Sequence, residues 1–324
     1  MYISYSNGMD FKNMQYMLAI EHYKNITKAA EALYITQSGL SQQLAKEEED
    51  IGTPLFVRTK NEIRPTEAGK IYLENARRIL KATQNMRTQI QDLSQNPTGT
   101  ISLGLPFEHG IDLFIGISHA FNSKYPNVSI TLVEQTVKEM QDGIKSDKTD
   151  LAFVMLKNTP PDDFEYIHLC TERLILGVPS SHPLAQKKKP EGALLPTVSL
   201  KDFANENFAL MFSGSTMRQV IDPLFSDANI TPNVHYETLM NNALSRLVRK
   251  GLACTILPQS YATKDDNVSW FYLENDPHWE WYIIYSKSRS LGIADQYFLK
   301  LASEYAKNAY NHWLVHGIGL PDNS

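Results

Sequence analysis

From Glu67 to Leu93 the sequence contains no proline and, after Gly69, no glycine. Those two residues are the strongest local breakers of regular structure, so the run predicts one long helix. Apolar or small residues fall along it at Tyr72, Ala76, Ile79, Thr83, Met86, Ile90 and Leu93, in steps that alternate four and three. That is a heptad seam, not a 3.6-residue face, and it predicts a linker and dimerisation helix over 67–95. The competing reading is a helix packed on its own domain. Asn96, Pro97 and Gly99 then form a linker. A chain of 324 residues also exceeds the roughly 250–300 at which single cores stop growing. Two or more domains are therefore expected, one on each side of this helix.

Composition removes several function classes. Lys and Arg number 31 against 36 Asp and Glu, a net charge of −5, so bulk charge gives no reason to suspect a nucleic-acid partner and any such reading must come from local pattern. No segment approaches the roughly 20 apolar residues that span a bilayer, and MYISYSNGMD lacks a basic region followed by an apolar core. A cytoplasmic protein is expected. Two cysteines cannot make a disulfide scaffold, which agrees with a reducing compartment. Residues 1–8 precede a second methionine, Met9, and add no periodic pattern; they read as a frayed extension or a misassigned start.

Ahead of the long helix, Phe11, Met14, Met17 and Leu18 mark a first amphipathic helix through about His22. Thr27 is the expected N-cap of a second, in which Ala29, Ala30 and Ala32 keep the surface low and Leu33 supplies the packing contact, and Thr36 caps a third that carries Leu40 and Leu44 inward. Gly52 and Pro54 end it, and Leu55 and Phe56 start a strand that leads into a hairpin wing, Thr59 to Thr66. Helix, short turn, helix is the arrangement that sets a second helix into the DNA major groove. Such a helix needs short, uncharged hydrogen-bonding side chains at its start, because a lysine there would seek phosphate and carry little sequence information. Gln37, Ser38, Ser41 and Gln42 fit that requirement. Phosphate contacts are expected from Arg58 and Lys60, with Arg64, Lys28 and the helix-start amides near Thr27 and Thr36 as further candidates. A solvated polar helix in a small three-helix unit is the bland alternative.

Beyond Gly99 strands and helices alternate. TISLGL (100–105), a helix from Ile111 to Lys124, VSITLVE (128–134), a helix from Lys138 to Ser146 and DLAFVM (150–155) make a βαβαβ run, which favours a parallel sheet covered by helices. A second set starts near Arg173 with LILGVP and continues through FALMF, a helix to about Asp227, VHYET, a helix to Lys250 and ACTILP. Strands at Val268–Leu273 and Trp281–Ser286 and a helix from Gly292 to about Trp313 close the chain. Two similar lobes imply a cleft between them.

From Met9 to Leu80 the sequence resembles the N-terminal domain of LysR-type transcriptional regulators: MDFKNMQYMLAI is similar to their first helix, ITKAAEALYITQSGLSQQL to their helix-turn-helix, and GTPLFVRTKNEIRPTEAGKIYLENARRIL to their wing and linker start. TGTISLGL, KYPNVSITLVE, KTDLAFVM, VPSSHPLA and RKGLACTILP continue the likeness in order, so it covers nearly the whole chain. The resemblance implies an α/β protein with an all-α-dominated N-terminal domain: a winged helix-turn-helix over 9–66, a linker helix over 67–95, and a two-lobed, type 2 periplasmic-binding-protein-like effector domain over 99–315. Lobe I would hold about 99–172 and 259–315, and lobe II about 173–258. It further implies a homodimer or homotetramer on an interrupted-dyad promoter site, a small-molecule effector in the cleft, no cofactor and no metal, and leaves RNA polymerase open as a further partner. Arg58 matches the family's wing arginine.

Departures from the family pattern are specific. Gln42 replaces a usual arginine, which would shift base preference there from guanine toward adenine. Asn61 and Pro65 replace a common arginine and leucine in the wing, Glu47 stands at a usual leucine position, and Gly39 costs a helix on the order of 1 kcal/mol relative to alanine. Mapped by motif, the effector site takes in Pro106, Phe107 and Glu108, Gln135 and Thr136, Ser213, Ser215 and Thr216, and Met240 and Asn241. Hydroxyls and free amides at a helix start suit a carboxylate, although each such residue also suits a plain N-cap. Glu108 near the mouth would repel an anion, so a cationic, neutral or aromatic ligand is equally open.

Three other readings stand beside this one. An enzyme would need a nucleophile, base or metal cluster, and His168, His182, His235, His278 and His312 are scattered with no HExxH or CxxC spacing; the HPL turn at His182 reads as structural. A redox-responsive regulator would use Cys170 and Cys254, both in expected strands where a buried apolar thiol is the ordinary role. A ligand-binding module without DNA-regulatory activity would share the two-lobed fold.

Overall fold

The computed structural model describes residues 10–58, 63–93 and 97–321, which form two compact units that divide near Gln91. Helix α1 (Phe11–Tyr23) opens at Asp10, whose carboxylate accepts from the Lys12 amide at 3.1 Å. Helix α2 (Ile26–Ala32) is capped by Asn25, not by Thr27: the Asn25 side chain accepts from Lys28 N at 3.1 Å, and Thr27 is an exposed residue inside the helix. The helix starts early because Ile26 has to be buried, and asparagine caps as well as threonine. Thr36 caps α3 (Gln37–Ile51) as expected, accepting from Gly39 N at 3.1 Å, while Gly52 at φ 81° ends it. Leu40 and Leu44 meet Met17, Ile20, Ala29 and Ala30 in one core.

Strands β1 (Phe56–Arg58) and β2 (Ile63–Pro65) pair antiparallel as the wing, and Lys60 and Asn61 lie outside the described residues. The wing is tied down by Glu48, whose Oε1 accepts from Leu55 N (2.7 Å) and Phe56 N (3.0 Å). Helix α4 (Glu67–Leu93) begins against the same strand: a β-carbon on Gly69 would stand 1.9 Å from the Leu55 carbonyl oxygen, so only glycine lets the backbones approach.

The burial of α4 corrects the expected seam. Tyr72 and Ala76 are buried in the core of their own domain with Leu73. The stripe left exposed runs through Ile71, Ile79, Met86 and Ile90, with Thr83 half-buried; the side chain of Leu93 is outside the described set. From Ile79 to Ile90 the expected seam positions stay on the exposed stripe, and only its first two, Tyr72 and Ala76, are taken by the core of their own domain.

In the second unit β3 (Gly99–Leu105), α5 (His109–Lys124), β4 (Val128–Glu134), α6 (Val137–Lys145) and β5 (Leu151–Leu156) follow the expected order, and β3 is parallel to both β4 and β5. The next strand, β6 (Phe164–Pro179), is one 16-residue strand where two shorter ones were expected. It is followed by β7 (Thr197–Val198), β8 (Asn207–Met211), α7 (Thr216–Asp227), β9 (Asn233–Thr238), α8 (Asn241–Arg249), β10 (Cys254–Pro258), β11 (Val268–Leu273), β12 (His278–Ser286) and α9 (Ile293–His316). The order β4-β3-β5-β12-β6-β10-β8-β9 makes one continuous sheet that is mixed, not parallel: β12 runs antiparallel to β5 and β6, and β10 antiparallel to β6. β12 returns to lobe I after β11, while β10 stays parallel to its neighbour β8.

β6 serves both lobes. Its first part, Phe164–Arg173, pairs with β12, and its second part pairs with β10 and β11, so β11 sits beside lobe II strands and not with lobe I. At the crossing, fully buried Glu172 accepts from Trp279 Nε1 (2.9 Å), Trp281 Nε1 (2.8 Å) and Ser260 N (3.0 Å). A single apolar cluster runs from Phe121 and Phe153 through Trp281 to Phe208 and Phe225, crossing both lobes.

Candidate DNA-reading helix and effector cleft

At the start of α3, Gln37, Ser38 and Gln42 are exposed or partly so and Ser41 is half-buried. Gln37 Nε2 donates to Ser41 Oγ at 2.9 Å, one turn on, and Ser38 Oγ bonds Thr36 Oγ1 at 3.3 Å, so the polar face is pre-set by its own short hydrogen bonds. Arg58 and Arg64 stand exposed on the two wing strands, paired across the hairpin with Ile63 and Val57 respectively. Lys28 is exposed on α2. One residue of this surface escaped sequence reasoning: Tyr34, in the turn between α2 and α3, is 96% exposed and sits at φ 56°. A left-handed tyrosine has no sequence signature, because glycine or asparagine usually marks that conformation.

Glu47 is on the opposite face and is 4% exposed. It accepts from Tyr72 Oη (2.8 Å) and Asn13 Nδ2 (2.8 Å), which ties α3 to α4 and α1. Burial first, and then the Glu47 carboxylate, raises the Tyr72 hydroxyl well above its ordinary range, so tyrosine stays the donor.

In the second unit the carboxyl ends of β3, β4, β5, β8 and β9 open on one cavity of about 540 Å³, within the usual size of a small-molecule site. Pro106, Phe107, Gln135, Thr136, Ser215, Thr216 and Asn241 line it; Glu108, Ser213 and Met240 do not. Glu108 turns away at φ 65°, ψ −59°, and its carboxylate accepts from Asn242 N (3.2 Å) and Asn242 Nδ2 (3.1 Å), joining the β3–α5 turn to the start of α8. Ser215 is an N-cap, accepting from Arg218 N at 3.2 Å. Thr136 donates through N and Oγ1 to Glu139 Oε2 at 2.9 and 2.8 Å, which holds the Glu139 carboxyl below its ordinary range. Sequence reasoning missed Met155, Lys157, Phe212 and Trp279, which also line the cavity. Trp279 comes from β12, far along the chain from the strands it faces, and no local pattern announces that.

Both thiols are buried. Burial and the nearby Glu172 push the Cys170 thiol far up, and burial with Glu206 pushes Cys254 up to about 12, the opposite of what a thiolate sensor needs. His182 caps a short 3₁₀ turn, accepting from Leu184 N at 3.2 Å, and stacks on Phe203. Among the described residues no group of three or more His, Cys, Asp or Glu gathers where a metal could be held, and no helix is long and apolar enough to cross a membrane.

Residues 11–70 match the model of the bacterial regulatory helix-turn-helix protein, lysR family, and residues 94–307 match the LysR substrate binding domain. The chain belongs to the LysR family. It is 31% identical to the HTH-type transcriptional regulator YybE of Bacillus subtilis (strain 168) over 81% of this chain and 88% of that one. It is 30% identical to the HTH-type transcriptional activator CmpR of Synechocystis sp. over 87% of this chain and 90% of that one. A full-length OxyR variant from Pseudomonas aeruginosa shares the fold with a TM-score of 0.70 at 17% identity, covering 93% of this chain and 95% of that one. CbnR, a LysR family transcriptional regulator, does so with a TM-score of 0.59 at 22% identity, covering 91% and 99%. The protein is thus a LysR-type transcriptional regulator, with a DNA-binding helix-turn-helix and an effector-binding domain of the periplasmic-binding-protein kind.

Proposed function

We propose that this regulator reads DNA through Gln37, Ser38, Ser41 and Gln42, with Arg58, Arg64 and Lys60 of the wing on phosphates, as a homo-oligomer paired through α4, and that a small molecule in the cleft sets its activity. The observation that carries the reading is the uncharged polar start of α3, capped by Thr36. A structure of full-length CbnR with its target DNA, at 21% identity, supports the docking mode for this fold. The relatives are named as regulators, which favours regulation over catalysis, and a DNA partner implies work in the cytoplasm. Contact with RNA polymerase would follow from where the site lies in a promoter.

The test is retardation of DNA upstream of the chain's own gene or a neighbouring one. Binding should be specific and weaken steeply with salt, since each neutralised phosphate adds about 0.9 to the log–log slope. Retardation of no nearby promoter would remove the DNA reading. Gln42→Arg should move base preference at one position of each half-site toward guanine, a change of about 1–3 kcal/mol in discrimination; selection from randomised half-sites reads it, and an unaltered preference would show that Gln42 faces solvent or phosphate.

A further inference from the structure

The histidines read as scattered in the sequence, yet His312 and His316 lie four apart in HWLVH, at the end of α9. That spacing brings two side chains to one face of a helix. Their rings stand with centroids 4.4 Å apart and an angle of 38° between planes.

His312 is half-buried, and its Nε2 lies 3.2 Å from the Ile318 carbonyl oxygen. A carbonyl only accepts, so Nε2 carries the hydrogen and Nδ1 keeps its lone pair. A ring N–H given to a backbone carbonyl is the arrangement that orients metal-binding imidazoles and makes the other nitrogen more basic. His316 is exposed, and among the described residues its nitrogens have no hydrogen-bond or ion-pair partner. Gly317, at φ 76°, ends the helix directly behind the pair. The partial negative charge of a helix C-terminus therefore adds its attraction for a cation.

From these we infer that His312 and His316 form a two-nitrogen site for a divalent late first-row metal ion, of the Ni²⁺, Cu²⁺ and Zn²⁺ class that imidazole suits and not the Mg²⁺ and Ca²⁺ class. Water completes the shell, since among the described residues no third His, Cys, Asp or Glu joins the pair. The site departs from the family resemblance, which implies no metal, and it is independent of the effector reading.

Behind the pair the chain hooks back onto the sensing unit. Trp313 Nε1 donates to Gly319 O at 2.6 Å, and Gly319 N donates to Gln259 O at 2.8 Å. The next residue, Ser260, donates from its N to Glu172 at the crossing of the lobes. An ion on His312 and His316 fastens the end of α9 beside that crossing, and it stabilises the folded chain because the unfolded one has no preformed pair.

The experiment uses the untagged full chain, because a polyhistidine tag would supply the same ligands. Thermal shift and calorimetry with NiCl₂ and ZnCl₂ should show one ion bound per chain and a raised melting temperature, with MgCl₂ and CaCl₂ giving neither. One equivalent of Cu²⁺ should give an electron paramagnetic resonance spectrum split by two imidazole nitrogens. His316→Gln should weaken Ni²⁺ and Zn²⁺ by at least the roughly 10–100-fold that loss of an outer-shell partner alone costs a metal site. Its side chain is exposed, so the metal-free variant should melt with the wild type. His235→Gln, an exposed histidine elsewhere, should leave binding unchanged. Affinity that survives His316→Gln, an equal shift from Mg²⁺ or Ca²⁺, or a Cu²⁺ spectrum with fewer than two nitrogens overturns the inference.

Discussion

At position 47 a carboxylate occupies an inward site on α3 that a leucine would fill by packing alone, and it is kept there by two donors from different helices. Replacing Glu47 with leucine should cost about 1–3 kcal/mol, because the Tyr72 hydroxyl loses its acceptor while remaining buried. Adding Tyr72→Phe should recover much of that loss, so a double-mutant cycle by urea unfolding should show strong coupling; additive effects would mean that the bond contributes nothing. Much at this scale was legible. Thr36 as cap, Leu40 and Leu44 as core and the polar run of α3 all follow from short-range chemistry. The reading took Thr27 over Asn25 although asparagine caps at least as well, and it is the burial of Ile26 inside the helix that marks the earlier start. Glu47 stood out at a usual leucine position, and sequence shows its charge but not the two donors waiting for it.

At the scale of elements, α4 carries two jobs along its length. Its first turns complete the DNA-binding core, and its later turns present Ile79, Met86 and Ile90 to the outside. A groove of about 340 Å³ lined by Met14, Ile51, Leu55, Ile71 and Ile79 continues that apolar stripe. Met86→Lys with Ile90→Lys should lower the mass seen by light scattering to that of a monomer and weaken DNA retardation, while the helical signal and melting of the domain persist. An unchanged mass would exclude α4 as the pairing surface. Most strands were legible to within a residue, since turn residues bound them, but β6 was read as two strands, β7 was not foreseen and β12 starts three residues before Trp281. Their directions were not, because β12 runs antiparallel only by virtue of where the chain returns from, and that is a fact of topology with no local signature.

Across the whole molecule, one apolar cluster spans both lobes of the sensing unit, and Glu172 ties the strands at the crossing. The lobes should therefore unfold together. Cys170 lies in the part of β6 that pairs with β12, and Cys254 in β10, so each lobe carries its own thiol reporter. Burial and the nearby Glu206 push the Cys254 thiol up to about 12, so it stays protonated at pH 8. Ellman's reagent at pH 8 should find neither thiol in the native protein and both in a single phase through the urea transition; a thiol that reacts early would show that its lobe opens alone. The cleft's outline was legible as strand ends, but Trp279 was not, because it reaches the cleft from β12, whose direction has no local signature; Lys157 was passed over although it stands one residue beyond β5, a strand end that was legible. The long strand β6 also limits how this chain can be rearranged. Deleting a single residue near Arg173 would invert every side chain beyond it from one face to the other, so lobe I keeps its pairing while lobe II turns its core outward. A graft of another sensing unit can be joined ahead of Gly99, where β3 begins, whereas exchanging one lobe alone would have to cut through a ladder both lobes share.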